Sequence, residues 1–310
     1  MNTAEITSET LASSVISVPP LARNENASLN HGENQKIIRH LEAGGVSTLL
    51  YGGNAILYHV ALSEYAELLQ MLAESAADNS LVIPSVGPGY GTMMDQAAIL
   101  REFDFTTAMI LPTRDVVTSE GVMTAVRNFV ETYGKAAVLY IKHDGFIEVD
   151  AVKQLMDDGL ISWIKYAIVR EDTSDDDYLR SLVDTVGSSR IVSGIGEQPA
   201  IIHLRDFGLT GFTSGCVCVA PKLSMDMLRA IKAGEFKTAE QIRQTFEPLE
   251  TLRNEINPIR VLHTAIAQAG IATTGPLIPL LSEVGEADRS RIQQAATQLL
   301  EADQMAAAAG

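Results

Sequence analysis

The sequence has few of the features that mark nucleic-acid-binding, membrane-spanning or secreted proteins. Its 23 Lys and Arg residues are outnumbered by 39 Asp and Glu residues, for a formal net charge of −16. It has no basic cluster of the kind that binds nucleic acid or anionic membranes, and no apolar run of the roughly 18 residues that a membrane-spanning helix needs. Residues 1–14 lack the basic and apolar regions of a secretory signal. We therefore expect a cytoplasmic protein without nucleic-acid or membrane partners, with residues 1–14 as a polar, loosely ordered leader.

Cysteine and histidine are also scarce, which limits disulfide and metal chemistry. Cys216 and Cys218 stand two residues apart in a predicted strand, where a disulfide between them has poor geometry. We interpret them as small core residues in a reducing compartment. Six histidines are scattered without metal-binding spacing, and the acidic run at 171–177 is better explained as a helix N-terminus. We expect no metal and no other cofactor.

Apolar, β-branched segments alternate with amphipathic helical segments along most of the chain. The predicted strands are Val15–Pro19, Val46–Tyr51, Leu81–Val86, Ala108–Pro112, Ala136–Lys142, Trp163–Val169, Arg190–Ile195 and Gly211–Ser214. Continuous apolar strands separated by helices indicate a parallel sheet covered by helices. Eight such repeats predict an α/β fold, a (β/α)8 TIM barrel over residues 15–223, with an open doubly wound sheet as the alternative. Residues 224–310 show only helical patterns and predict a C-terminal helical domain.

Lys165 is the most informative residue in the chain. It lies within the otherwise apolar strand segment Trp163–Val169, where burial disfavours the charged form of a lysine and lowers its pKa. A neutral lysine amine is a nucleophile that forms Schiff bases with carbonyl compounds. The alternative is a strand-end lysine whose ammonium group extends into solvent.

Tyr140 lies near the end of the fifth predicted strand, at a height similar to that of Lys165 in the sixth. Neighbouring parallel strands run about 4.8 Å apart, so both side chains should face one pocket at the carboxyl ends of the strands. There the phenol could act as a general acid–base during imine formation; the alternative is a core aromatic residue. Gly52 and Gly53 follow the second predicted strand, and their amides could bind an anion or simply form a turn.

These residues are part of a wider pattern that resembles the dihydrodipicolinate synthase and N-acetylneuraminate lyase family of class I, Schiff-base aldolases. The matching motifs keep their order from about residue 18 to residue 281. They are Leu139-Tyr140, Ile164-Lys165, Ser193-Gly194, Gly211-Phe212-Thr213-Ser214-Gly215, Asn257-Pro258-Ile259-Arg260 and Pro276-Leu277-Ile278-Pro279-Leu280. The pattern is that of a divergent member.

The resemblance implies a barrel with a C-terminal helical domain, commonly assembled as a homotetramer, so we expect a homo-oligomer, either tetramer or dimer. It implies that Lys165 forms an imine with a small-molecule 2-oxo acid, typically pyruvate or a 3-deoxy-2-oxo sugar acid. Tyr140 matches the family's proton-relaying tyrosine. Gly194 and the backbone around Thr213 match segments near the imine site.

Three substrate-binding features of the family differ in this sequence. The usual Gly-Thr-Thr-Gly-Glu segment reads Gly52-Gly53-Asn54-Ala55-Ile56, Arg114 stands where a second tyrosine is usual, and the loop 142–145 lacks the arginine of dihydrodipicolinate synthases. We therefore expect a related lyase with a different substrate. Asn54 and the amides of Gly52 and Gly53 would receive the 2-oxo acid carboxylate, and Arg114 would hold a second carboxylate through its bidentate guanidinium.

The sequence thus predicts a Schiff-base-forming lyase or synthase, of the aldolase or dehydratase type, acting on a 2-oxo acid. Two alternatives stay open. One is a metal-dependent aldolase or other barrel lyase. The other is a catalytically lapsed member that binds a 2-oxo acid without turnover, because the threonine motif is lost.

Overall fold

A closed parallel β-barrel forms the centre of the structure, a computed structural model that describes residues 1–309. Its strands are β1 Ile16–Ser17, β2 Thr48–Leu50, β3 Leu81–Ile83, β4 Ser85–Val86, β5 Met109–Ile110, β6 Ala137–Ile141, β7 Ile161–Tyr166, β8 Ile191–Ser193 and β9 Gly211–Ser214. They pair in the order β3-β2-β1-β9-β8-β7-β6-β5-β4, and the named strands pair in parallel throughout. Their almost continuous burial explains why most strand positions are apolar, and most of the polar exceptions are the small residues Ser and Thr.

The sheet closes because β3 and β4 are two halves of one strand, interrupted at Pro84. Proline has no N–H to donate to a sheet, but the Pro84 carbonyl still accepts from the Met109 amide at 2.9 Å. On the other side, the Ile83 carbonyl accepts from the Tyr51 amide at 2.9 Å. The segment is therefore bonded to both β2 and β5. The predicted TIM barrel is confirmed and the open-sheet alternative is wrong; the fifth and sixth predicted strands are β6 and β7.

Helices cover the outer face of the barrel and continue beyond it. They are α1 Ser8–Ser13, α2 His31–Ala43, α3 Leu62–Ser75, α4 Tyr90–Leu100, α5 Ser119–Tyr133, α6 Val149–Asp157, α7 Asp177–Val186, α8 Ala200–Asp206, α9 Pro221–Lys232, α10 Phe236–Glu255, α11 Pro258–Gln268 and α12 Glu286–Ala309. Short polar side chains cap several of them: Asp176, from the predicted acidic run, accepts from the Leu179 amide at 3.0 Å. Across residues 1–309, no helix is both long and apolar enough to cross a bilayer.

Two segments differ from the expectation. The leader contains α1, because Thr7 accepts from the Thr10 amide at 3.2 Å and Leu11 supplies an apolar side chain that is buried. Helix α9, most of which the sequence assigns to the C-terminal domain, contacts both α2 and α8. It therefore completes the ring of barrel helices, and the predicted boundary at 223/224 falls inside it.

The C-terminal helices bring part of the chain back to the barrel. Helix α10 packs against α9, α11 and α12, and also contacts α8 and the short 3-10 helix Cys216–Cys218 that follows β9. The predicted strand position of the two cysteines is wrong, because β9 ends at Ser214, whose hydroxyl accepts from the Val217 amide at 3.0 Å as the chain turns into this helix. Asn257 lies between α10 and α11. Its side chain accepts hydrogen bonds from the amides of Ile259 and Arg260 at 3.1 Å each and so caps the start of α11. The end of α10 and the start of α11 thereby form part of the wall of a cavity at the carboxyl ends of the strands.

Candidate active site

A cavity of about 220 Å³ lies at the carboxyl ends of the barrel strands. Six residues predicted from the sequence line it together: Gly53, Asn54, Tyr140, Lys165, Gly194 and Thr213. They come from the ends of five different strands, which is how TIM barrels build active sites. Gly52 and Arg114, also predicted, are not in the cavity wall.

A larger cavity, of about 810 Å³, lies beside α4 and α5. Its lining includes Tyr90, Met93, Val116 and Val122 and contains neither Lys165 nor Tyr140. Size alone would favour it as a binding site. We place the candidate active site in the smaller cavity, because that cavity holds Lys165 and Tyr140.

Lys165 and Tyr140 face one another across neighbouring strands. They are register partners in the β6–β7 pair, and the Nζ atom of Lys165 lies 4.6 Å from the centre of the Tyr140 ring. The side chains are 4% and 8% exposed. Because side chains alternate between the two faces of a strand, the next residue, Tyr166, points the other way and donates its hydroxyl hydrogen to Asp176 at the start of α7.

Burial lowers the pKa of Lys165 to about 7, and the positive charges of Lys142 and Arg253 add to this effect. An amine with such a pKa is neutral in a large fraction of molecules at neutral pH, whereas an ordinary lysine is almost entirely protonated. The predicted burial of Lys165 is thus present in the structure, and a buried lysine with a lowered pKa has the chemistry expected of a Schiff-base nucleophile.

Tyr140 has the opposite perturbation. Burial, with a smaller contribution from Tyr58, raises the pKa of the Tyr140 phenol far above its usual range, so it keeps its proton at neutral pH. Burial also raises the pKa of Tyr58, to about 12. Both phenols line the cavity and can donate a hydrogen bond to an oxygen bound there.

Gly194 makes room for the lysine. It directly follows β8, and its amide donates to the Tyr166 carbonyl at 2.6 Å. A Cβ at this position would lie 2.7 Å from Ala167 Cβ and 3.0 Å from Lys165 Cγ. A side chain here would push Lys165 out of place. Thr213, the third residue of β9, is buried in the same wall, and its carbonyl accepts from the Gly196 amide at 3.0 Å.

The glycine-rich segment after β2 contributes Gly53 and Asn54 to the cavity wall. The side-chain amide of Asn54 donates to the Val18 carbonyl at 2.8 Å. The backbone carbonyl of Asn54 is hydrogen-bonded to His263 Nε2 at 2.9 Å. In the described chain, the N–H groups of Gly53 and Asn54 have no backbone acceptor. Gly52 serves packing instead, since a Cβ there would lie 2.7 Å from Met109 Cε.

Arg114 lies on an exposed loop outside the cavity wall. The positive charge of Arg114 nevertheless acts on a cavity residue. It is the second cause, after burial, of the lowered pKa of Lys142.

The cavity residues that the sequence analysis did not name as site residues include Tyr58, Lys142 and Arg253. Lys142 directly follows β6, two residues after Tyr140, so the strand alternation could have placed it beside the site. Arg253 belongs to a helix that reads as amphipathic, and nothing in its local sequence indicates that it faces the barrel. Among residues 1–309, no group of three or more His, Cys, Asp or Glu side chains is arranged to hold a metal ion.

Comparison with known sequences identifies relatives along most of the chain. The sequence model of the dihydrodipicolinate synthetase family matches residues 12–299. A Rhizobium meliloti (strain 1021) protein named "Probable 5-dehydro-4-deoxyglucarate dehydratase" is 24% identical over 271 residues, 82% of this chain and 86% of that protein. The 4-hydroxy-tetrahydrodipicolinate synthase of Stutzerimonas stutzeri (strain A1501) is 24% identical over 248 residues, 78% of this chain and 82% of that protein.

Solved structures share the fold. Dihydrodipicolinate synthase from Oceanobacillus iheyensis superposes with a TM-score of 0.80 at 20% identity, over 94% of this chain and 97% of that one. Ruminococcus gnavus sialic acid aldolase superposes with a TM-score of 0.82 at 13% identity, over 94% and 99%. At such identities the superpositions establish the barrel and its C-terminal helices.

Proposed function

This chain belongs to the dihydrodipicolinate synthetase family, and from that premise we propose that it is a Schiff-base-forming lyase that acts on a 2-oxo acid, such as pyruvate or a 3-deoxy-2-oxo sugar acid. The predicted family and lyase class are confirmed, since the relatives are named as dehydratase, synthase and aldolase. The observation that carries the proposal is the buried amine of Lys165 beside the ring of Tyr140 in one cavity.

The first chemical step joins Lys165 to the substrate. The neutral amine attacks the C2 ketone, forming a C–N bond and a carbinolamine. Tyr140, which burial keeps protonated, protonates the departing hydroxyl as the C–O bond breaks and water leaves. The former amine gives one proton to the carbinolamine oxygen and keeps the other, so the imine is left protonated, and solvent returns a proton to the phenolate.

The protonated imine then draws electrons from the neighbouring carbon. This permits cleavage of a C–C bond to give an enamine and a carbonyl compound, the reverse condensation, or loss of water from C3 and C4 of a 3-deoxy-2-oxo acid. Gly53 and Asn54 line the cavity and their backbone N–H groups have no backbone acceptor among residues 1–309, so we assign to them the C1 carboxylate of the substrate.

The proposal is tested by turnover together with reductive trapping. Pyruvate release and loss of water would be followed with a panel of 3-deoxy-2-oxo sugar acids, and borohydride would be added to trap an imine with pyruvate. We expect the wild type to be trapped and inactivated, Lys165→Ala to lose all turnover, and Lys153→Ala, an exposed lysine on α6, to behave as the wild type. Substantial turnover by Lys165→Ala would rule out the covalent mechanism.

A second candidate function is binding of a 2-oxo acid without turnover. It is favoured by the segment Gly53-Asn54-Ala55, which has no hydroxyl group where related enzymes carry threonines. A protein that only binds a 2-oxo acid would be stabilised against heat by pyruvate and would show no turnover with any 2-oxo acid. Turnover of any 2-oxo acid excludes it.

The setting of the enzyme is also a proposal. We infer a cytoplasmic homo-oligomer, because Cys216 and Cys218 are both free thiols and because Tyr90 and Val116, beside the larger cavity, are 52% and 85% exposed. Exposed apolar side chains beside an apolar cavity are typical of subunit interfaces. Light scattering on the purified protein would show a dimer or tetramer; a monomer would contradict this.

A further inference from the structure

The candidate active site carries positive charge that the imine chemistry does not require. Lys142 and Arg253 line the cavity together with Lys165, and no Asp or Glu is among the lining residues. The whole chain has a net charge of −16, so the cavity opposes the charge of the molecule around it. Local positive charge without a carboxylate partner is the arrangement that attracts an anionic ligand.

Arg253 is built into the wall. It lies in the last turn of α10, and its guanidinium lies flat against Gly215, directly after β9: a Cβ on Gly215 would be 2.6 Å from Nη2 and 2.8 Å from Cζ. Glycine at 215 therefore makes room for the guanidinium. The Nε–H of Arg253 donates to the Pro258 carbonyl at 3.2 Å. This bond holds the guanidinium group in one orientation.

The donors of Arg253 are mostly unused by the protein. Apart from the bond to Pro258, Nη1 donates to Cys216 Sγ at 3.9 Å, and sulfur is a weak acceptor. Within residues 1–309, Arg253 forms no ion pair. Arg23 shows the contrast: it is 5% exposed and meets Glu64 with two hydrogen bonds, at 2.7 and 2.9 Å.

Two buried carboxyl groups lie near Arg253 and form no ion pair with it within residues 1–309. Glu250 is one turn earlier on α10, and its Oε1 accepts from the Glu197 amide at 3.0 Å. Glu197 is held by the hydroxyls of Ser214 and Ser224 at 2.7 and 2.6 Å. Burial raises the pKa of both carboxyls, that of Glu250 well above its usual range, which favours their neutral forms. Among residues 1–309, neither carboxyl accepts a hydrogen bond from Arg253, so its Nη donors stay available to a ligand in the cavity.

We propose that Arg253, assisted by Lys142, binds the distal carboxylate of a 2-oxo dicarboxylic acid whose C2 carbon reacts with Lys165. This inference rests on the proposed imine chemistry and names its substrate class. A guanidinium binds a carboxylate through two parallel hydrogen bonds, and the cavity of about 220 Å³ suits a small, short diacid. We therefore assign the binding of the second carboxylate to Arg253 and no longer to the exposed Arg114.

The test uses two five-carbon probes that differ only at the far end, 2-oxoglutarate and 2-oxopentanoate, with pyruvate as the reference. Each is titrated into the wild type, and the adduct formed with borohydride is quantified by intact mass. We expect 2-oxoglutarate to half-saturate trapping at a concentration roughly 10- to 100-fold below that of 2-oxopentanoate, the range of a hydrogen-bonded charge pair. If the wild type is half-saturated by 2-oxoglutarate and 2-oxopentanoate at the same concentration, the proposal is overturned. This outcome can be read from the wild-type protein alone.

The variants assign the preference to a residue. In Arg253→Gln the ratio of the two half-saturating concentrations should fall toward one, and Arg253→Lys, which keeps the charge but loses the fork, should keep part of it. Arg243→Gln is the matched control, since Arg243 lies on the same helix and pairs with Glu240 at 2.8 Å outside the cavity. Its ratio should equal that of the wild type. An unchanged ratio in Arg253→Gln, or a collapse in Arg114→Gln instead, contradicts the assignment. Absence of any adduct with pyruvate would instead refute the imine chemistry itself.

Discussion

The amine of Lys165 lies 4.6 Å from the centre of the Tyr140 ring, and the two residues are register partners on adjacent strands. This relationship follows from the parallel sheet, because partners in register point to the same face. It places a nucleophile with a lowered pKa beside a phenol with a raised pKa. The two opposite shifts have one main cause, burial, which disfavours the charged form of each group.

Replacing Tyr140 with phenylalanine should keep the ring against Lys165 and remove only the proton relay. We expect imine formation with pyruvate to slow by about 10²- to 10⁴-fold, the usual contribution of general acid–base catalysis. The rate of borohydride-trappable adduct formation after rapid mixing measures this. Tyr178→Phe is the control, since the Tyr178 hydroxyl donates to the Ile147 carbonyl outside the cavity. Equal rates in wild type and Tyr140→Phe would remove the phenol from the mechanism.

Replacing Lys142 with methionine should raise the pKa of Lys165. After burial, the charge of Lys142 is the largest cause of the lowered value of about 7, and removing a like charge favours the protonated amine. The pH profile of pyruvate trapping should therefore shift to higher pH, with a slower reaction at pH 7 and recovery in alkaline buffer. Lys153→Met should leave the profile in place. A shift of the Lys142→Met profile to lower pH would contradict the electrostatic account.

Replacing Gly194 with alanine should destabilise the protein. The added Cβ would meet Ala167 Cβ at 2.7 Å and the Tyr166 carbonyl at 2.8 Å, and such overpacking costs about 1–3 kcal/mol. Gly91→Ala is the matched control, because a Cβ on Gly91, in α4, meets no atom within 4 Å. That change should be neutral or should raise the free energy of unfolding by up to about 1 kcal/mol. Urea unfolding measures the free energy of unfolding of both variants. Equal values for Gly194→Ala and Gly91→Ala would show that position 194 has more space than we infer.

The pH dependence of stability should also carry the signature of Lys165. Its pKa is lowered from 10.5 to about 7 in the folded protein, so between these values the unfolded chain binds the proton and the folded chain does not. Stability from this group therefore rises with pH across that window, by at most about 1.4 kcal/mol per pH unit. Against Lys165→Met, the wild type should be least stable near pH 7 or below and should gain toward pH 10. Parallel curves for the two proteins would mean that Lys165 is not desolvated.

The strand and helix pattern was predictable because each barrel strand is a short apolar run and each helix an amphipathic one. Lys165 and Tyr140 could be paired from the sequence since both stand near the ends of consecutive strands. The interruption at Pro84 was missed because the apolar pattern continues through it, and α1 was missed because a single buried leucine, Leu11, gives little periodic signal.

The cationic part of the site was not predictable in the same way. Arg253 reaches the cavity through the path of α10, and it meets Cys216 across 37 residues of chain. No local pattern encodes such a contact. The resemblance places Arg114 where the family usually has a second tyrosine, but the loop that carries Arg114 leaves it exposed outside the cavity wall.

The most direct test of the account is to locate the trapped lysine. Wild-type protein would be incubated with pyruvate, reduced with borohydride, digested and mapped by peptide mass spectrometry, with Lys165→Ala treated in parallel. We predict a single modified lysine, Lys165, and no adduct in Lys165→Ala. Modification at Lys142, the other lysine in the cavity, or no adduct from a folded sample, would contradict the central claim.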